Sequence, residues 1–358
     1  MNKINIIIHT LYLLKSSANR TPAIDEEKIL SEYQEANTGK SGIAIKALSV
    51  FGGIAASLFF LAFLFLAGLY ESETGMLIFG LIFIAASIIV NSRFDNIIVD
   101  TASISFYLIG FFLLGVGLGS IHVNENMICL IFVAVALLTL IIIQNYIFSF
   151  ISLLIINGSL FALIIFSFSN NMIHLLLTMQ VIAIVYLFLH ESAFISASPK
   201  ISKLYQPIRT GMVLSFLCGL VLIARKDLFS TGSYYLLATS IVIIIALLYV
   251  AFHLLVVLNV TKPNDKILVY GIATLMFIPT IMAPAISGCL LVILLSFFVR
   301  HRGGFILGIG ALIYFICQYY YDLEYSLLQK SYFLIGSGIL FVLIYLVTIK
   351  KLVTNAKT

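Results

Sequence analysis

The strongest constraint on this chain is a succession of apolar runs, most of them close to 20 residues long, separated by polar breaks of only a few residues. A helix needs about 20 apolar residues to cross the roughly 30 Å hydrocarbon core of a bilayer. The first run covers residues 48–69 and is closed by Glu71, Ser72 and Glu73. The second, 75–90, stops at Asn91, Ser92 and Arg93, and the third, 98–119, stops at the polar stretch 122–126. Runs 127–143 and 147–168 are parted only by Gln144 and Asn145, and 172–189 completes a first group of six. A polar stretch, 190–209, containing Ser196, Ser198, Pro199, Lys200 and Lys203, then reads as a divider.

The second group begins with 211–224 and 234–258. The run 267–299 is too long for one straight crossing, and Pro279 and Pro284 bracket its middle. Two short helices meeting between those prolines fit it better. Runs 305–319 and 332–349 bring the expectation to about twelve spans, with ten or eleven as alternatives because several runs are short. The fold class is therefore all-α, a polytopic transmembrane helix bundle.

Composition supports the same solvent. Only 10% of the 358 residues are charged and mean hydropathy is +1.15, whereas soluble domains carry about 25% charged residues. The net charge of +5 is no nucleic-acid signal, because the basic residues sit in short clusters between apolar runs, where orientation signals lie. Placing both termini in the cytoplasm puts 17 of the 20 Lys and Arg inside, leaving Arg225, Lys226 and Lys330 outside. Merging 267–299 into one span would move Arg300, Arg302, Lys350 and Lys351 outside, so charge and length both favour an even number.

Three regions follow: a cytoplasmic N-terminal segment 1–46 with short amphipathic helices, a transmembrane domain 47–350, and a cytoplasmic tail 351–358. Lys3, the apolar stretch 4–14 and Ser16-Ser17-Ala18 loosely resemble a secretory leader. His9 and Thr10 interrupt that stretch and Lys15 adjoins the supposed cleavage site, so it reads as an interfacial or packing helix. Cys129, Cys218, Cys289 and Cys317 all fall in apolar runs without a CxxC pair, which points to small buried side chains rather than disulfides or zinc ligands. No cofactor is implied.

Ionisable and polar residues inside spans are costly and so point to function or to helix pairing. The candidates are Asp100 at the mouth of the third span, Gln180 in the sixth, with Asn157 as a second neutral polar group at depth, and His253 in the eighth. His174 and His190 lie near the ends of the sixth. The densest cluster is external, between the last two spans: Tyr321, Asp322, Glu324, Tyr325 and Lys330, preceded by Tyr319 and Tyr320. Paired acids there could serve as general acid and base, although an interfacial tyrosine belt with solvated acids accounts for them as well. No phosphate-binding glycine loop, HExxH or nucleophile elbow occurs. The small residues Gly304 and Gly308 form a GxxxG that lets backbones approach in lipid.

The segment 319–338, with the pattern Tyr-Tyr-Tyr-x-Leu-x-x-Ser-Leu-Leu-x-Lys-Ser-x-x-Leu-x-x-x-Gly, resembles the bacterial domain-of-unknown-function family numbered 4401. That resemblance implies a polytopic protein of the bacterial cytoplasmic membrane and carries no catalytic residues. Three functions remain open at this point. A transporter-like protein is suggested by the spans, the divider and the broken run at Pro279 to Pro284. A scaffold or sensor in cell-envelope assembly fits the scarcity of buried ionisable groups. A membrane-embedded enzyme would use Asp322 and Glu324. The partner expected in every case is the lipid bilayer, with a membrane-protein partner or a second copy of the chain as further options and no nucleic acid.

Overall fold

A computed structural model describes residues 55–93, 97–167, 170–225, 232–257 and 277–322, with isolated positions at 52, between 267 and 274, and between 326 and 342. Among the described residues every regular element is helical. A short helix α1 (Ala55–Leu66) leads through a 3-10 turn to α2 (Glu73–Arg93), α3 (Ile97–Ser120), α4 (Glu125–Ile142), α5 (Tyr146–Ser167) and α6 (Met172–Leu189). The seven-residue α7 (Glu191–Ala197) joins α6 to α8 (Pro199–Ala224), followed by α9 (Ser233–Val257), α10 (Pro284–Phe298) and α11 (Arg302–Asp322). Eight of these helices, all but α1, α7 and α10, are long and apolar enough to cross a membrane. Large apolar side chains such as Phe59, Leu66, Ile82, Ile182 and Ile245 face outward, more than half exposed. In water that surface would be a liability, and in lipid it is the ordinary exterior.

Helix starts are written locally. Asn124 accepts from the Asn126 N–H at 2.9 Å to open α4. Ser198 accepts from the Ile201 N–H, and Pro199 fills the first helical position, where a missing N–H costs nothing. His301 opens α11, its Nδ1 accepting from the Gly304 N–H at 3.0 Å.

Packing divides into two main cores. The first joins α2 to α5 around Ile84, Tyr107, Phe111, Ala136 and Phe148, and Tyr107 hydrogen-bonds Ser152 across it at 2.9 Å. Within it, α2 and α3 run back to back at Gly80 and Gly110. A Cβ on Gly80 would stand 2.9 Å from the Leu114 backbone nitrogen, and one on Gly110 would stand 2.9 Å from the Gly80 carbonyl. The second core surrounds α10, which packs against α6, α8, α9 and α11 through Leu177, Val181, Phe216, Leu220, Leu291 and Val292. Helix α5 bridges the two, resting on α4 and α8. The GxxxG of α11 acts as expected: Gly308 leaves room for Ile293, and Gly304 for Ser296.

The expected break at Pro279 to Pro284 is present as a 3-10 segment (Ile278–Met282) that stops at Ala283 before α10. Two boundaries differ from the sequence reading. Residues 190–209 are not a loop: α7 and the first three turns of α8 occupy them, so α8 starts at Pro199 rather than 211. Helix α11 also continues to Asp322, carrying the tyrosine cluster onto a helix end. Cys129 and Cys289 are buried free thiols as anticipated, whereas Cys218 and Cys317 face outward. The N-terminal segment 1–46 and the tail 351–358 lie outside the described residues.

The helices alternate in direction and so gather their turns at two ends. One end holds the turn at 143–145, the α6–α7–α8 junction and the turn before α11. It is tied together by Tyr146 to Thr210 and by the edge-on rings of Phe188 and His301. Arg93, Lys200, Lys203, Arg209, Arg300 and Arg302 all lie at this end, with Asp100 and Glu191. The other end holds Glu71, Glu73, Glu125 and Asp322, with Arg225.

Candidate functional site

The densest polar chemistry lies at the basic end, on α8. Because α8 starts at Pro199, Arg209 sits three turns into the helix, on its buried face, and it is 3% exposed. Tyr205, one turn earlier, shares its face. Arg209 Nη1 donates to Glu191 Oε1 at 3.0 Å and to the Tyr205 hydroxyl at 3.4 Å, and Nη2 donates to Gln206 Oε1 at 3.4 Å. The Tyr205 hydroxyl passes its own proton to the Leu187 carbonyl at 3.1 Å. The guanidinium also lies 4.9 Å from the Tyr205 ring centre and 5.6 Å from that of Phe188, within cation–π range.

Glu191, the first residue of α7, keeps 29% of its side chain exposed while it holds Arg209. The pair therefore joins a buried charge on one element to a carboxylate at the edge of another. His301 stands beside the cluster, and burial, with the Arg209 charge second, lowers its pKa to about 4. It is a neutral imidazole near pH 7, as its acceptance from the Gly304 N–H requires. Two polar atoms here are buried and unpartnered, Arg209 Nε and Ser296 Oγ. The chemistry available is electrostatic: a latch that holds in a dry environment and loosens when water reaches it.

The residues singled out from sequence are scattered. Asp100 accepts from Asn91 Nδ2 at 2.6 Å, clipping the end of α2 to the start of α3. Gln180 donates to Asn157 Oδ1 at 2.8 Å between α6 and α5. His253 lies on α9, 4.8 Å from the Tyr249 ring, with its Nδ1 buried and unpartnered. Tyr321 is 78% exposed at the end of α11. Asp322 accepts two hydrogen bonds from Gln318, at 3.0 and 3.1 Å. Glu324, Tyr325 and Lys330 lie outside the described residues.

Asp322 does line a cavity of about 60 Å³ at the acidic end, together with Gln318, Tyr319, Met282, Pro284 and Ala224. The 3-10 break and the start of α10 form its floor. Of the sequence candidates, only Asp322 and its neighbour Tyr319 come together there. Among the described residues no group of three His, Cys, Asp or Glu side chains converges as metal ligands would.

Sequence reasoning placed Arg209 at the end of a polar divider and so missed its burial. The available signal was Ser198-Pro199, an N-cap followed by proline at the first helical position, which carries the helix through Tyr205 and Arg209.

The sequence profile of a family described as "Domain of unknown function (DUF4401)" matches residues 43–351, most of the chain. No curated protein and no solved structure matches it.

Proposed function

The chain belongs to the DUF4401 family, and we propose that it works as a transporter-like multi-pass membrane protein whose cytoplasmic end is latched by the Glu191–Arg209 pair. The observation that carries this reading is a buried guanidinium held across helices by a carboxylate that still reaches water. Separating such a pair in a dry bundle is costly, and admitting water lowers that cost. The latch thus couples helix separation to hydration. The 3-10 interruption before α10 adds a second discontinuity at the opposite end of the same helix group, as in carriers built from broken helices.

The charge distribution supports an orientation with the Arg209 end in the cytoplasm of a bacterial inner membrane, since six of the seven described Lys and Arg lie there. The eight long helices, α1, α10, and the apolar runs at 267–277 and 332–349 support twelve spans with both termini inside. A reporter fused at the C-terminus and active only in the cytoplasm tests that parity.

The latch itself is tested by labelling. In a variant with the four native cysteines replaced, Ser296→Cys lies 1% exposed beneath the latch. A small aqueous maleimide is expected to label it slowly from the cytoplasmic side, and at least tenfold faster when Glu191→Gln is added. Gel filtration checks that both variants remain folded. Protection in both would mean a static bundle and would favour the scaffold reading.

A further inference from the structure

The cavity that Asp322 lines is bounded by four helix ends: the last residues of α8, the first turns of α9 and α10, and the last two turns of α11. It exists because the chain does not enter α10 as a continuous helix. The 3-10 segment stops at Ala283, whose carbonyl accepts from the Ile286 and Ser287 N–H groups at 3.0 and 3.4 Å, and α10 starts abruptly at Pro284. The space left is about 60 Å³. At about 10–15 Å³ for each water-sized group, it has room for about four or five non-hydrogen atoms.

Asp322 alone is charged among the lining residues, and it is exposed, so a solute reaches its oxygens. Gln318 Nε2 donates to both of them and holds the carboxylate in place. A carboxylate only accepts, so the amide must turn its nitrogen to Asp322, and acceptor sites remain on both carboxylate oxygens. Gln318 Oε1 is a further acceptor, with no hydrogen-bond partner among the described residues. Arg225 follows the lining residue Ala224, but it is not in the lining and forms no ion pair with Asp322. The rest of the wall is mostly hydrocarbon, with Ile223, Leu236 and Phe315 among it. Asp322 and Gln318 thus present one negative charge and spare acceptors beside an apolar surface.

We propose that this cavity binds a short-chain primary alkylammonium ion, its N–H groups donating to Asp322 and Gln318 Oε1 and its chain lying against Ile223, Leu236 and Phe315. A bare alkali cation would need oxygens on several sides, and the apolar wall supplies none. A carboxylate or phosphate would set like charge and acceptor against acceptor. A cationic donor on a small hydrocarbon body meets both halves of the site. Helix α10 runs from this cavity to Ser296 beneath the latch. The site therefore gives the transport reading a substrate class, and it rests on that reading for movement of the ion but not for its binding.

The test uses the full chain in nanodiscs, with the four native cysteines replaced and Met282→Cys introduced at a lining position that is 67% exposed. Its rate with a methanethiosulfonate carrying an ammonium group is compared with its rate with one carrying a sulfonate, each divided by the reagent's rate on a free thiol in solution. The ammonium reagent is expected to react at least fivefold faster, and Asp322→Asn should remove that preference. Butylammonium chloride should protect the thiol, whereas butanol, sodium butyrate and potassium chloride at equal concentration should not. Asp322→Asn should weaken that protection about five- to tenfold, the effect of losing a charge-assisted hydrogen bond at a site open to water. Ala224→Phe fills the cavity and keeps the carboxylate, and it should weaken protection as well. Protection at Met282→Cys with labelling of Ser296→Cys unchanged by butylammonium would support the site and count against transport of this ion. No protection by butylammonium while the latch behaves as expected would overturn the site alone. Protection by butanol or potassium chloride equal to that by butylammonium would overturn it too.

Discussion

Asn157 on α5 and Gln180 on α6 meet side chain to side chain, 2.8 Å apart, both at least 95% buried. Asn157 also returns an N–H to the Leu153 carbonyl at 3.0 Å, while Gln180 Oε1 has no partner. Apolar contact alone does little to choose one helix partner over another when lipid offers the same contact, so a polar bond at depth contributes specificity. This pair helps fix the approach of α5 to α6, on which α8 then rests.

Removing one member should therefore cost more than removing both. Asn157→Leu strands the Gln180 amide and should lower stability by about 1 kcal/mol. Asn157→Leu with Gln180→Leu should recover more than half of that loss. A double-mutant cycle on thermal unfolding in detergent measures it, and simple additivity would show that the bond contributes no coupling.

The α2–α3 crossing depends on the absence of side chains at Gly80 and Gly110. Gly80→Ala forces a methyl group against the Leu114 backbone and should destabilise the protein by about 1–3 kcal/mol. Gly119→Ala, where a Cβ meets nothing within 4 Å, should change stability by less than about 0.5 kcal/mol. Unfolding midpoints of the two variants in one detergent provide the comparison.

At the latch, Glu191→Gln leaves the Arg209 charge buried without its counter-charge. The expected loss is about 2 kcal/mol, below the roughly 3–5 kcal/mol of a fully buried pair because Glu191 already reaches water. Arg209→Lys should not preserve stability, since an ammonium cannot address Glu191 and Gln206 with a planar fork while stacking on Tyr205. Denaturant unfolding of the two variants should show both below wild type.

His301 gives the basic end a dependence on pH. Its folded-state pKa of about 4 lies below the ordinary 6.5, so the unfolded chain binds more protons between these values. Stability from this group is complete above about pH 6.5 and falls as pH drops towards 4. Protonation also converts Nδ1 from acceptor to donor and breaks the cap on Gly304. His301→Asn keeps a capping oxygen without a titrating ring, so its unfolding midpoint should fall less over that window.

Much of the bundle could be read in the sequence because lipid imposes a plain rule: a spanning segment must satisfy its own backbone and present an apolar surface. The run at 172–189 coincides with α6, and the prolines at 279 and 284 placed the break. Pairings were harder to see. Asn157 and Gln180 were each visible as polar groups at depth, but their contact depends on how two antiparallel helices rotate, which an evenly apolar surface does not encode. Arg209 was hidden for the opposite reason. Serines and lysines at 196–203 gave the stretch the polarity of a loop, although Ser198 and Pro199 there begin a helix.

Helix α10 carries a consequence for the surrounding membrane. Fifteen residues rise about 22 Å, well short of a hydrocarbon layer of roughly 30 Å, whereas α9 beside it has 25 residues. Because α6, α8, α9 and α11 surround α10, its shortfall is covered by protein rather than by lipid, and the longer helices around it set the thickness that the bilayer meets. Bilayer thickness therefore reaches the Pro284 junction only at second hand, through tilting of longer neighbours such as α9.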